Sequence, residues 1–97
     1  MAVADADIAF ATDLFSDLGA VTSRKMFGGL GLYQDGTIFA VVSSEGRIYV
    51  KTIPETAATL AEQDAEQFHN MPYWSLPESA LDDPEAACKL ARQFLNA

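Results

Sequence analysis

Apolar positions change period along this chain, and the change marks its elements. From Asp5 to Leu18, Ile8, Ala11, Phe15 and Leu18, with Phe10 and Leu14 beside them, recur at helical spacing, and Gly19 then supplies a left-handed cap. The spacing predicts an amphipathic first helix. Asp5 and Asp7 suit the positive end of its dipole, whereas Asp17 near its end does not. From Val21 the period falls toward two. Asp35-Gly36 is a two-residue connection between apolar runs, where glycine accepts the positive φ of a type I′ turn. That turn predicts a hairpin in which Gln34 faces Thr37, Tyr33 faces Ile38, Leu32 faces Phe39, Gly31 faces Ala40 and Leu30 faces Val41.

Before the hairpin, Val21 to Phe27 is strand-like, and Gly28-Gly29 interrupt a pattern that Leu30 resumes; the reading is one bent strand rather than a separate turn. Thr37 to Val42 is the second strand, Ser43 to Gly46 a turn, and Arg47 to Thr52 the third strand. With an even-length second loop, Ile48 and Val50 join Leu30, Leu32, Phe39 and Val41 on the core face. The opposite face then carries Tyr33, Ile38, Val42 and Tyr49 with Arg47 and Lys51. Pro54 opens a second helix running to about Ala65, on which Ala57, Ala58, Leu60 and Ala61 form a weakly apolar surface. Phe68 to Leu76 holds a further strand, which Pro72 places at an edge or at a strand start. Asp83 caps the last helix, Pro84 takes its first position, and Ala87, Leu90, Ala91, Phe94 and Leu95 form its core stripe. The expected fold class is α+β: a single domain over residues 1–97 ordered as helix, three-stranded antiparallel meander, helix, one or two strands, helix.

A chain of 97 residues with 49% hydrophobic content supplies one core and is too short for two. Met1 to Asp7 has neither the basic start nor the apolar stretch of a signal peptide, and no run reaches membrane-spanning length. A single cysteine, Cys88, excludes an intrachain disulfide and a multi-cysteine zinc site, which fits a cytoplasmic location. The net charge of −8 repels phosphates on average and so disfavours nucleic acid and anionic membrane as partners. Its distribution is uneven. Residues 20–53 hold Arg24, Lys25, Arg47 and Lys51 against Asp35 and Glu45, whereas the segments on either side are acidic. The expected sheet is the basic part of an acidic protein.

No catalytic centre, metal site or cofactor site emerges from the residues. Gly28, Gly29 and Gly31 precede a strand and a hairpin, not the helix N-terminus that a phosphate loop needs. His69 lacks evident co-ligands, and Ser75 in Y-W-S-L-P is not in a nucleophile elbow. Cys88 reads as a packing residue. Arg24, Lys25, Arg47 and Lys51, with Tyr33 and Tyr49, would suit single-stranded nucleic acid. Equally, the face of Arg24, Tyr33, Ile38, Val42, Arg47, Tyr49 and Lys51 has the mixed aromatic and aliphatic character of a protein contact, and a protein partner or homodimer is the leading expectation. A small-ligand pocket near Gly28, Gly29 and Trp74 is a third reading.

Several segments occur together in order: L-F-x-x-L-G-x-V-T-x-R from Leu14 to Arg24, M-F-G-G-x-G-L-Y-x-D-G from Met26 to Gly36, F-A-V-V from Phe39 to Val42, I-Y-V-K from Ile48 to Lys51, M-P-Y-W-S-L-P from Met71 to Pro77, and L-D-D-P-E from Leu81 to Glu85. In combination they resemble the TfoX N-terminal domain family of TfoX/Sxy-type competence regulators. The resemblance implies the α+β order given above. It also implies a link to DNA uptake and natural transformation, where such proteins act as transcriptional coactivators alongside the cyclic-AMP receptor protein. The family offers no established catalytic residues; its motif positions map here to Arg24, Met26, Phe27, Gly28, Gly29, Tyr33, Asp35, Gly36, Lys51, Tyr73 and Trp74. Relative to the family pattern, the stretch between Lys51 and Met71 is shortened, which predicts the loss of a sheet hairpin. Relative to full-length regulators of this type, the helical C-terminal domain is expected to be missing.

Overall fold

The computed structural model describes residues 3–26 and 28–97. In chain order the elements are helix α1 (Asp5–Leu14), a 3-10 turn (Ser16–Leu18), strands β1 (Val21–Met26), β2 (Gly29–Gln34), β3 (Thr37–Val42) and β4 (Ile48–Lys51), helix α2 (Pro54–Glu62), strand β5 (Tyr73–Ser75), and helices α3 (Glu78–Leu81) and α4 (Pro84–Leu95). The five strands form one antiparallel sheet in the order β1-β2-β3-β4-β5. The protein is a single α+β domain, as the sequence predicts, with four strands rather than three before α2.

The additional strand comes from the Gly28-Gly29 break. A bent strand is expected there, but Met26 pairs directly with Gly29 and the chain reverses between them. Gly28 has φ +78°, a conformation glycine adopts without the Cβ penalty of other residues, and this permits the reversal. Phe27 lies outside the described residues. At the next turn both Asp35 (φ +55°) and Gly36 (φ +85°) are left-handed, the pattern of a type I′ hairpin.

From that turn the expected register holds for two pairs, Gln34 with Thr37 and Tyr33 with Ile38, and then slips by one. Leu32 pairs with Ala40, Gly31 with Val41 and Leu30 with Val42, so Phe39 is the extra residue of a β-bulge. The slip moves Val42 into the core, 1% exposed, and puts Val41 on the opposite face in its place. Ile48 and Val50 reach the core face as expected, paired with Val42 and Ala40 rather than with Val41 and Phe39. The β3–β4 turn is also one residue longer than expected, and the two slips cancel for β4.

One cluster joins Leu30, Leu32, Phe39, Ala40, Val42, Ile48 and Val50 of the sheet to Ala11 and Leu14 of α1, Leu60 of α2, Ala80 of α3, and Ala87, Cys88 and Ala91 of α4. The helices therefore cover one face of the sheet. Phe39 meets Phe15 edge to face, with ring centroids 5.1 Å apart, and both are fully buried. Burial of side chains of this size contributes about 1.5–3 kcal/mol each. The first-helix stripe is narrower than its spacing suggests, because Phe10 is 49% exposed. α2 stops at Glu62, short of Ala65, and α3 is a turn of helix the sequence reading lacks. At α4 the expected cap is present: Asp83 Oδ1 accepts hydrogen bonds from the Glu85 and Ala86 amides at 3.1 and 3.4 Å.

Candidate protein-contact face

The face away from the helices is assembled by strand alternation. β1 brings Thr22, Arg24 and Met26 beside Tyr33 and the bare Gly31 of β2; β3 adds Ile38 and Val41, β4 adds Tyr49, and β5 adds Tyr73 and Ser75. Gly31 forms a dip into which its neighbours lean. A Cβ there would lie 2.8 Å from Met26 Cε, 3.2 Å from Tyr33 Cε1 and 3.3 Å from Ile38 Cδ1. Met26, Tyr33, Ile38 and Val41 are half-buried, and exposed Arg24 stands beside them, bordering with Tyr33 and Gly36 a hollow of about 380 Å³.

The other half of this face is covered by the chain itself. Residues 63–72, between α2 and β5, lay Phe68 on Tyr49 with centroids 4.8 Å apart, and His69 packs on Phe68 at 4.6 Å. Arg47 donates from Nη1 to Glu66 Oε2 at 2.9 Å and from Nη2 to Ser75 Oγ at 3.4 Å, with its guanidinium 5.8 Å from the Tyr49 ring centre. Buried Ser75 Oγ also accepts the Glu66 amide at 2.9 Å. Lys51 Nζ sits 4.8 Å from the centre of the Phe94 ring of α4.

The seven residues expected to share this face are thus divided. Arg24, Tyr33 and Ile38 are together and open. Tyr49 is buried beneath Phe68, Arg47 is tied to Glu66 and Ser75, Lys51 reaches toward α4, and Val42 is in the core. Met26 and Val41 complete the open part. Sequence reading misses Val41 because Phe39 to Val42 is uninterruptedly apolar, and four such residues carry no parity signal.

Tyr73 is buried on the outer face, and burial, followed by the nearby Tyr33, raises its phenol above the ordinary value of 10.0. Trp74 pairs with Val50 and packs against the core, away from the cleft of about 310 Å³ lined by Gly29, Met26, Val41, Phe68 and His69. The pocket expected to join Gly29 with Trp74 is therefore not formed. Cys88 is fully buried, its thiol donates to the Leu14 carbonyl at 3.6 Å, and burial is the main cause raising its pKa. Among the described residues no group of three or more His, Cys, Asp and Glu side chains converges to hold a metal, and no helix is long and apolar enough to cross a membrane.

The family model of the TfoX N-terminal domain matches residues 13–97. The chain belongs to the TfoX N-terminal domain family. It is also similar to a protein of Aliivibrio fischeri (strain ATCC 700601 / ES114) called DNA transformation protein TfoX1, at 37% identity over 54 residues. That match takes in 56% of this chain and 25% of the relative, so the chain spans only a part of that protein's length. Within the TfoX motif segments, Asp35-Gly36 and Gly28 make turns, Trp74 packs on the core and Tyr73 is buried, while Arg24, Met26 and Tyr33 share the open outer face.

Proposed function

We propose that this TfoX-type domain is a non-enzymatic regulatory module that works by protein contact, with Arg24, Met26, Tyr33, Ile38 and Val41 as its contact surface. One observation carries the reading. The helices cover one sheet face and residues 63–72 cover half of the other, leaving an aromatic and aliphatic patch beside an exposed arginine, the chemistry enriched at protein interfaces. The family and the name of the Aliivibrio fischeri relative support DNA transformation as the pathway, and a cytoplasmic setting accords with such a role. A nucleic-acid reading is weaker: Arg47 has Glu66 as its ion-pair partner, which leaves Arg24 and Lys25 as neighbouring cations with no ion-pair partner among the described residues, on a chain of net charge −8.

The test is Ile38→Asp, which adds a charge at the centre of the patch without touching the helix-side core. Capture of cellular partners by the immobilised protein, and self-association by sedimentation, are expected to fall at least tenfold. Unchanged capture and an unchanged oligomeric state, in a variant whose melting temperature is preserved, would refute this surface.

A further inference from the structure

The two edges of the sheet are treated differently by the chain. At β5 the outer edge is closed: Gln67 bridges Trp74, the Ser75 amide donates to Glu66 O at 2.9 Å, and the Phe68 amide donates to Tyr73 O at 2.8 Å. Among the described residues β1 has no such cover. It pairs with β2 alone, and Thr22, Ser23, Arg24 and Lys25 are all exposed.

The outward-facing backbone groups can be named. The Asp35 amide donates to Ala20 O, which sets the phase of the antiparallel ladder. In that phase Thr22, Arg24 and Met26 exchange hydrogen bonds with Tyr33, Gly31 and Gly29, and the phase agrees with the two-residue reversal between Met26 and Gly29. Val21, Ser23 and Lys25 then direct their N–H and C=O groups away from the sheet. Among the described residues no other segment bonds to them.

We infer that β1 is a docking edge for an extended segment of a partner protein that carries two adjacent acidic residues. Strand addition to an open edge takes its affinity from main-chain hydrogen bonds and its specificity from side chains on either side. Arg24 and Lys25 are consecutive, so they project to opposite faces, and neither has an ion-pair partner among the described residues. A partner strand meets both cations only with neighbouring acids, since acids at alternate positions share one face. A second copy of this chain is the poorer occupant: it offers the same two cations, and lysine on an edge discourages pairing between copies. The net charge of −8 does not oppose an acidic segment at contact range, because salt screens charges beyond about 8 Å while Arg24 and Lys25 adjoin the new strand. The inference rests on the outward-facing backbone of β1 and on Lys25, and it shares Arg24 with the outer-face patch.

The experiment is an amide NMR titration with two acetylated peptides, Thr-Val-Thr-Glu-Glu-Val-Thr and its Lys-Lys counterpart. The acidic peptide is expected to shift Val21, Ser23 and Lys25, and the lysine peptide to leave them unmoved. Ser23→Pro removes an outward-facing donor while sparing the bonds to β2, and is expected to weaken acidic-peptide binding about tenfold, the worth of one main-chain hydrogen bond. Arg24→Glu with Lys25→Glu is the second variant, which keeps the test decisive if Ser23→Pro fails to fold. It should exchange the preference, binding the lysine peptide and losing the acidic one. Ser23→Pro should leave capture of partners through the outer-face patch intact, because the Ser23 backbone faces away from that patch, which separates this edge from the outer-face reading. Absence of shifts at β1, a preference unaltered by charge reversal, or the same shifts arising from self-association without peptide would each overturn the proposal.

Discussion

Gly28, Gly29 and Gly31 stand together in the sequence but serve three different ends, and alanine substitution separates them. At Gly29 a Cβ would overlap the carbonyl oxygen of Val42. The Cβ would be fixed by the β2 backbone and the oxygen belongs to the β3 main chain, so relief requires β2 and β3 to part, and overpacking against backbone makes Gly29→Ala cost about 2–4 kcal/mol. Gly28 carries φ +78° at the β1–β2 reversal, and Gly28→Ala costs about 1–2 kcal/mol for a left-handed L-residue. A Cβ at Gly31 meets the ends of Met26, Tyr33 and Ile38, which can move. There the tightness is offset by the roughly 0.5–1 kcal/mol that glycine costs inside a strand, and Gly31→Ala should lie within about 1 kcal/mol of the parent. Equilibrium urea unfolding at constant m-value gives the three differences. An order of Gly29, then Gly28, then Gly31 is expected. A Gly29→Ala protein as stable as the parent, or a Gly31→Ala protein as damaged as Gly29→Ala, would refute the assignment of Gly29 to close β2–β3 packing.

Two further outcomes follow from buried polar groups. Ser75→Ala leaves the Glu66 amide and Arg47 Nη2 without the hydroxyl that now accepts from them, and unfolding is expected to become easier by about 1–3 kcal/mol, with hydrogen exchange rising first in residues 63–72; unchanged exchange there would remove Ser75 as the anchor of that segment. Tyr73 has a folded-state pKa above its ordinary 10.0, so the stability linked to its neutral phenol is fully present below that value and is lost as pH rises through the folded pKa. Melting temperature should fall on alkaline titration above pH 10, Tyr73→Phe should flatten that fall, and identical slopes in the two proteins would exclude Tyr73 as its source.

Signals that depend on neighbouring residues were readable in the sequence, and those that depend on counting across a gap were not. Asp35-Gly36 sets its turn because both residues take left-handed conformations, and Asp83-Pro84 sets the start of α4 because a carboxylate cap and a proline each suit one helix position. The bulge at Phe39 has no such mark. It sits in F-A-V-V, where every residue is apolar, and the bulge keeps Phe39 against Phe15 while Val42, paired with Ile48, takes the core position. Gly28-Gly29 is ambiguous for a related reason, since two glycines permit a bend or a reversal, and the reversal follows from Met26 pairing with Gly29. The fate of the basic residues was the least legible. Arg47 finds Glu66 across 19 positions and Lys51 finds Phe94 across a longer interval, encounters made by the tertiary fold.

That redistribution of cations bears directly on what the sheet can do. Taken as sequence, Arg24, Lys25, Arg47 and Lys51 form one basic set suited to a polyanion. Folded, they fall into two pairs with opposite uses. Arg47 joins Glu66 and Ser75 in holding residues 63–72 over Tyr49, and Lys51 caps the ring of Phe94, so both help to shape the domain. Arg24 and Lys25 remain exposed on β1, whose outer edge is open among the described residues, next to the half-buried Met26, Tyr33, Ile38 and Val41. A polyanion needs charges spread along a track, whereas two adjacent cations beside an apolar patch and free main-chain donors match a short protein segment more closely. The same segment 63–72 that covers half of the outer face leaves the β1–β2 side open, which is where the TfoX motif residues Arg24, Met26 and Tyr33 lie.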